Sequence, residues 1–280
     1  MAFHNNRAEI NSLMETHGFR LSKGLGQNLL TDNNIIKIIA DSAGITAGEI
    51  VVEVGPGLGA LTSELCTRAS KVIAIEIDSR IIPLLKEATA SLDNLEIINI
   101  DFMNFCLTTI GEKYKLIGNL PYYITTPIIM KLVEAEKKPE CMVFMIQKEV
   151  AQRIVAEPGS KVYGAISVAC QYHCEVDYIA DVSREVFLPK PNVDSAVIRL
   201  RPYGEKEAEK ANNEALFFAI VKAGFGQRRK MLRNSLLKTG IEKEILDKAF
   251  VQVGIEPTER AEMLSSLDFI SIANAIDSLK

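Results

Sequence analysis

No window of the sequence reaches the run of about 18 apolar residues that crosses a bilayer as a helix. The first residues, MAFHNNRAEIN, also lack the basic-then-apolar pattern of a secretory leader. Those two absences lead to the expectation of a cytoplasmic protein with no membrane partner. A disulfide framework is equally unsupported, because the five cysteines (Cys66, Cys106, Cys141, Cys170, Cys174) are scattered and odd in number. Cys170, His173 and Cys174 lie close enough to suggest metal ligands. No second Cys/His cluster completes the set, so no metal is expected. Excess positive charge is missing too: the net charge of −4 argues against a generic polyanion binder.

What is present is the balance of a globular chain, 48% apolar and 24% charged over 280 residues, enough for one large domain and a smaller one. Apolar runs at 50–54, 72–76, 95–100, 116–117 and 141–146 read as strands, with helical patterns at 60–69 and 80–92 between them. Continuous apolar strands separated by helices predict a doubly wound α/β fold, a parallel sheet covered on both faces. Residues 175–179 and 193–200 look like two further strands joined by a loop, a terminal antiparallel hairpin on that sheet. After Arg201-Pro202-Tyr203-Gly204 the composition turns to Glu, Lys and Ala and no strand pattern recurs. The expected domains are therefore 1–203, built on the sheet, and 204–280, small and all-helical.

The turn VVEVGPGLGALT follows a strand and opens a helix, where doubly wound folds bind nucleotides. Glycines alone are weak, since any tight turn uses them. Glu53 stands before Gly55 and Gly57, and Pro56 removes a backbone N–H. A pyrophosphate wants donors and no carboxylate. S-adenosylmethionine, with a sulfonium, an amino group and no phosphate, suits this turn better. Glu76 closes the second strand 21 residues after Gly55, where a carboxylate can accept both ribose hydroxyls. Ile77 beside it offers an apolar surface for adenine, and Asp101, followed by Phe102, closes the third strand and can accept the adenine amino group.

The fourth strand ends at Asn119-Leu120-Pro121-Tyr122. An aromatic amine is a poor nucleophile, because its lone pair is delocalised into the ring. Accepting both amino protons, on the Asn119 side-chain oxygen and the Leu120 carbonyl, frees that pair, while Pro121 fixes the turn and Tyr122 stacks on an extruded base. A Pro-terminated strand carrying a core tyrosine would explain the tetrapeptide alone. Following the cofactor turn, it reads as catalytic. Further on, no acid occurs between Ala215 and Ile241, while Lys222, Arg228, Arg229, Lys230, Arg233 and Lys238 do. That block is either a local contact for an anion or a solvated helix face. As a contact it nominates Arg228, Arg229, Lys230 and Arg233, read as one helical stretch, for RNA.

NLPY resembles the Asn/Asp/Ser-Pro-Pro-Tyr/Phe tetrapeptide of adenine-N6 methyltransferases. From about residue 18 to the C-terminus the chain resembles the KsgA/RsmA family of small-subunit (16S) ribosomal RNA adenine N6,N6-dimethyltransferases. The likeness rests on LGQNLL (25–30), EVGPGLGALT (53–62), EID (76–78), DFM (101–103), GNLPYYITTPI (118–128), FLPKPNVDSAVIRL (187–200), FGQRRKMLRNSL (225–236) and ERAEMLS (259–265), in that order. It implies a Rossmann-like class I SAM-dependent methyltransferase sheet, acting on two adjacent adenosines near the 3′ end of 16S rRNA in an immature 30S subunit. It also implies cofactor contacts at Asn28, Leu30, Gly55, Glu76, Asp101 and Asn119, and Phe187 stacked on the far face of the target adenine. Leu29 departs from the family's usual Phe, and Ala165 from a frequent Arg, which removes one RNA contact. The rivals are a 23S rRNA methylase of the erythromycin-resistance type, a DNA adenine methylase (for which no target-recognition domain is evident) and an assembly factor without catalysis.

Overall fold

The computed structural model describes residues 6–22, 24–111, 113–204, 208–227 and 230–280. The strands are β1 (Leu29–Leu30), β2 (Ile50–Val54), β3 (Lys71–Glu76), β4 (Leu95–Asn99), β5 (Tyr114–Asn119), β6 (Cys141–Gln147), β7 (Cys174–Val182), β8 (Phe187–Leu188) and β9 (Ser195–Pro202). Seven form one sheet in the order β4-β3-β2-β5-β6-β9-β7. The pairs from β4 through β6 are parallel, and β9 runs antiparallel to β6. The helices are α1 (Arg7–Thr16), α2 (Asn33–Ser42), α3 (Ala60–Cys66), α4 (Ile82–Ala88), α5 (Thr125–Val133), α6 (Lys148–Ile154), α7 (Ala165–His173), α8 (Glu214–Gly226), α9 (Leu232–Leu237), α10 (Lys243–Val253) and α11 (Ser266–Ser278). Among the described residues no helix is long and apolar enough to cross a membrane, and no group of three or more His, Cys, Asp or Glu is placed to hold a metal ion.

Strand order reverses between β2 and β5, which opens a crevice beyond their carboxyl ends. The register Val54↔Gly118 brings the end of β2, and with it Gly55, beside Asn119 at the end of β5. That approach demands glycine at 118: a Cβ there would sit 2.8 Å from the Val54 carbonyl oxygen. Ile39, Leu65, Val51, Val143 and Val197 fill the core on one face of the sheet, which fits the apolar runs of β6 and of β2, where Glu53 is the one polar residue. Two features carried no strand or helix signal. The two-residue β1 pairs antiparallel with β8, Leu29↔Leu188 and Leu30↔Phe187, far too short for periodicity. Before it, α1 buries Ile10 in a small cluster with Phe19, Leu29 and Leu58.

The chain divides into two compact units, Met1–Ala151 with Asp177–Pro202, and Gln152–Val176 with Tyr203–Lys280. The return at Tyr203 adjoins the expected boundary, but residues 152–176, expected with the sheet, belong to the second unit. The reason is packing: Ala156, Tyr163, Val168 and Tyr172 join Phe217, Phe250 and Phe269 in the helical core. Ala165 opens α7 and is half-buried against that core, a place for a small side chain.

Candidate active site

A cavity opens at the carboxyl ends of β2, β3 and β5. From β2 and the turn after it the cavity takes Glu53, Gly55 and Gly57, and from β3 and β4 onward Glu76, Ile77, Asp101 and Phe102. Asn28 and Leu30 cover it, and Asn119, Leu120, Pro121 and Tyr122 complete it. All ten residues expected to bind a cofactor, and the whole NLPY turn, therefore meet in one place. The Gly57 backbone is left-handed (φ 57°), and a Cβ there would meet Leu29 Cδ2 at 3.0 Å.

Hydrogen bonds fix the orientation of the key groups. Asn119 Nδ2 donates to the Asn28 carbonyl at 3.0 Å, so its Oδ1 remains the acceptor. Asn28 in turn donates to the Gly26 carbonyl at 3.0 Å. The Leu120 N–H donates to the Met145 carbonyl at 3.1 Å, and the Pro121 carbonyl accepts from Ile124 N and Thr125 Oγ1, which closes the turn. Tyr122 is half-buried, its hydroxyl 3.0 Å from Ser195 Oγ. Asp101 accepts from Met103 N at 2.8 Å. Glu76 is only 5% exposed and accepts from Asp78 N at 2.8 Å. Burial pushes the Glu76 carboxyl above the usual carboxylate range, against the pull of the Asp78, Gly57 and Ile77 backbone N–H groups.

Glu53, the acid beside the first turn, is buried. It is 1% exposed, accepts from Thr62 Oγ1 at 2.6 Å, and is pushed up to about 8 by burial, with the Glu76 charge adding to the effect. Without a cation nearby it holds its proton at neutral pH. The unfolded chain releases that proton near 4.5. The folded state thus binds more protons between about 4.5 and 8, and stability falls across that window as pH rises, by up to about 1.4 kcal/mol per pH unit. Glu53→Gln keeps an acceptor for Thr62 and should flatten the melting temperature against pH between 5 and 8 in the ligand-free protein. An unchanged slope in thermal unfolding would mean that Glu53 is ionised there.

Phe187 is not brought to the cavity. It is 1% exposed, pairs with Leu30, and packs with Val143 and Val197 under the sheet. The basic residues fare unevenly. Arg228 and Arg229 lie outside the described residues. Lys230 is exposed and precedes α9, so the stretch is not one continuous helix. Arg233 is engaged, with Nε donating to Asp247 Oδ1 at 2.6 Å and Nη2 in an ion pair with the same oxygen at 2.5 Å.

Three supporting residues were not singled out from the sequence. Gln27 donates to Asp78 Oδ2 at 3.0 Å and accepts from Ser22 N at 2.7 Å, tying the segment over the cavity to the end of β3. Its signal was its place in LGQNLL. Thr62, within EVGPGLGALT, holds Glu53. Lys131 on α5 donates to the carbonyls of Phe102, Met103 and Phe105 at 2.8, 2.7 and 2.9 Å, fixing the loop that carries Asp101. A lone lysine in an apolar helix gives no sequence signal for that.

Residues 18–278 match the family model described as ribosomal RNA adenine dimethylase. The ribosomal RNA small subunit methyltransferase A of Geobacillus thermodenitrificans is 44% identical over 275 residues, covering 94% of each chain. Among solved structures, a dimethyladenosine transferase from Plasmodium falciparum aligns with a TM-score of 0.74 and 27% identity, covering 87% of this chain and 95% of its own. The 23S rRNA methyltransferase ErmE aligns at 0.71 and 26%, covering 89% and 99%.

Proposed function

The chain belongs to the ribosomal RNA adenine dimethylase family, and from that premise we propose how its cavity works. It is an enzyme that dimethylates adenine in small-subunit ribosomal RNA. We read the targets as the N6 amino groups of two adjacent adenosines near the 3′ end of 16S rRNA, presented in an immature 30S subunit. We read the methyl donor as S-adenosylmethionine.

The lining suits a cationic nucleoside better than a phosphorylated one. Glu53 and Glu76 bring acids, Pro56 brings no N–H, and Gly57 leaves clear the space a Cβ would fill. Bound there, the donor supplies a methyl group activated by a positively charged sulfur. Glu76 would accept the ribose hydroxyls and Asp101 the adenine amino group, with Ile77 and Phe102 against the ring. The single observation that carries the reading is the Asn119 amide. With Nδ2 held by Asn28, Oδ1 is the acceptor at the mouth of the crevice. Oδ1 and the Leu120 carbonyl accept the two amino protons, the nitrogen lone pair leaves conjugation, and Tyr122 stacks on the base. The catalytic demand is alignment of nitrogen, methyl and sulfur. Phe187 has no part in this reading.

Incubation with labelled donor and immature small subunits, naked rRNA or large subunits tests it. Label in small-subunit RNA, located by sequencing to two neighbouring dimethyladenosines, is the expected result. Label confined to large subunits would move the chain to the erythromycin-resistance type, and binding without label would make it an assembly factor.

The exposed Lys230 and the paired Arg233 should behave differently in the same system. Lys230→Gln should lower the slope of log affinity against log salt by about one. Arg233→Gln should leave that slope alone and lower the melting temperature, since it breaks the link to Asp247. A lowered slope for Arg233→Gln in salt titrations would show that its pair with Asp247 yields to phosphate.

A further inference from the structure

Ser195 opens β9, and the three residues after it, Ala196, Val197 and Ile198, are fully buried apolar side chains. Ser195 itself is 1% exposed. A buried hydroxyl costs stability unless it is hydrogen-bonded, and alanine or valine would extend the apolar strand without that cost. The chain nevertheless carries a serine, and its Oγ lies 3.0 Å from the Tyr122 hydroxyl. Tyr122 belongs to β5's terminal turn, and Ser195 reaches it from β9, with β6 between those two strands. The pair therefore joins two segments 73 residues apart.

Ser195 is also held firmly. It pairs with Gln147 at the end of β6. The preceding residue is clamped twice: the Asp194 carbonyl accepts from Lys148 N at 3.0 Å, and Asp194 Oδ1 accepts from Arg184 N at 3.0 Å. Arg184 Nη1 donates to the Asn192 carbonyl at 2.9 Å, so the loop leading into β9 is braced along its length. Tyr122, by contrast, lies in a turn, is only half-buried and lines the cavity. A tyrosine ring held at its root alone can swing about two side-chain torsions. A fixed partner at the hydroxyl removes that freedom.

We propose that Ser195 is a positioning residue for methyl transfer, which holds the Tyr122 ring through the phenol–hydroxyl hydrogen bond in the plane that stacks the target base. This rests on the reading of Tyr122 as the stacking residue. Ser195 touches neither base nor methyl donor; it acts only through the phenol. Removing its hydroxyl frees the ring to wander, which misaligns the bound base more than it weakens binding.

A double-mutant cycle tests the link: Ser195→Ala, Tyr122→Phe and the two combined, each assayed for kcat and KM on immature small subunits, with donor affinity by calorimetry as the check on folding. Ser195→Ala and Tyr122→Phe should each lower kcat about 3- to 10-fold, the range of one neutral hydrogen bond, with KM and donor affinity close to wild type. The combined variant should be no slower than either alone, because both remove one bond. Ser195→Thr, which keeps the hydroxyl, should keep most of the rate that Ser195→Ala loses and serves as the working variant if Ser195→Ala melts too low to assay. Equal losses from Ser195→Ala in the Tyr122 and Phe backgrounds, or a loss of kcat in step with donor affinity, would reduce Ser195 to a packing residue and overturn the proposal. A Ser195→Thr variant as slow as Ser195→Ala would do the same. An active wild type with an unaffected Ser195→Ala overturns the positioning role alone. A wild type that methylates no small-subunit RNA overturns the proposed function, and this inference with it.

Discussion

Asn119→Ala should cut the rate of methyl transfer by about 100-fold or more, the order seen when one preorganised hydrogen-bonding group is lost from an active site. RNA affinity should hold. The amino nitrogen is planar and weakly polar in the ground state. As it bonds to the methyl carbon it becomes pyramidal and positively charged, and its N–H groups become stronger donors. The Oδ1 acceptor is thus worth most in the transition state, which places its loss in kcat rather than in binding. Asn119 also holds Asn28 through Nδ2, and that neutral bond bounds the side effect on donor affinity at no more than about tenfold. Asn119→Asp is no milder, since it keeps an acceptor but sets a carboxylate oxygen against the Asn28 carbonyl. Single-turnover rates beside calorimetric donor affinities separate the roles. Losses of equal size in both would mean that Asn119 serves only to hold the 26–30 segment.

The sheet and most of its contacts with the cavity were legible because they obey local rules. The runs at 50–54, 72–76 and 141–146 are apolar on both faces, as strands buried on both sides must be, and they fall on β2, β3 and β6. Glu76 and Asn119 were placed by one rule, that a polar residue ending such a strand points into the crevice. What escaped reading was set by long-range packing. Phe187 sits in a motif that resembles its family's, yet its burial is decided by pairing with Leu30, more than 150 residues earlier. The segment 152–176 has helical character that fits either unit, and only the position of its apolar side chains against Phe217 and Phe269 assigns it. Glu53 was legible as a residue beside the turn but not in its charge, because protonation follows from burial, which outweighs the opposing pull of the Thr62 hydroxyl. Arg233 was legible as a cation, while its partner Asp247 lies on a different helix.

Glu76→Ala should weaken donor binding by about 2–3 kcal/mol, roughly 30- to 150-fold, the worth of hydrogen bonds made to a charged acceptor. Glu76 ends β3, lines the cavity and is almost unexposed, and the Asp78 N–H holds one carboxylate oxygen in place. An acceptor so fixed loses little entropy when ribose hydroxyls arrive. Burial raises its pKa, so the better acceptor, the carboxylate, gives way to the acid as pH falls, earlier than for an exposed glutamate. Donor affinity should therefore decline on acidification in the wild type. Glu76→Gln preserves an acceptor for Asp78 N but replaces one oxygen with a donor, so it should bind weakly and without that decline. A donor analogue lacking the ribose hydroxyls supplies the control. Its affinity should be low for the wild type and should fall little further in Glu76→Ala, because the partners of the carboxylate are already gone. Calorimetry of the three proteins with both ligands, across pH, tests every arm. A folded Glu76→Ala protein that binds the full donor as tightly as the wild type would remove Glu76 from the ribose site.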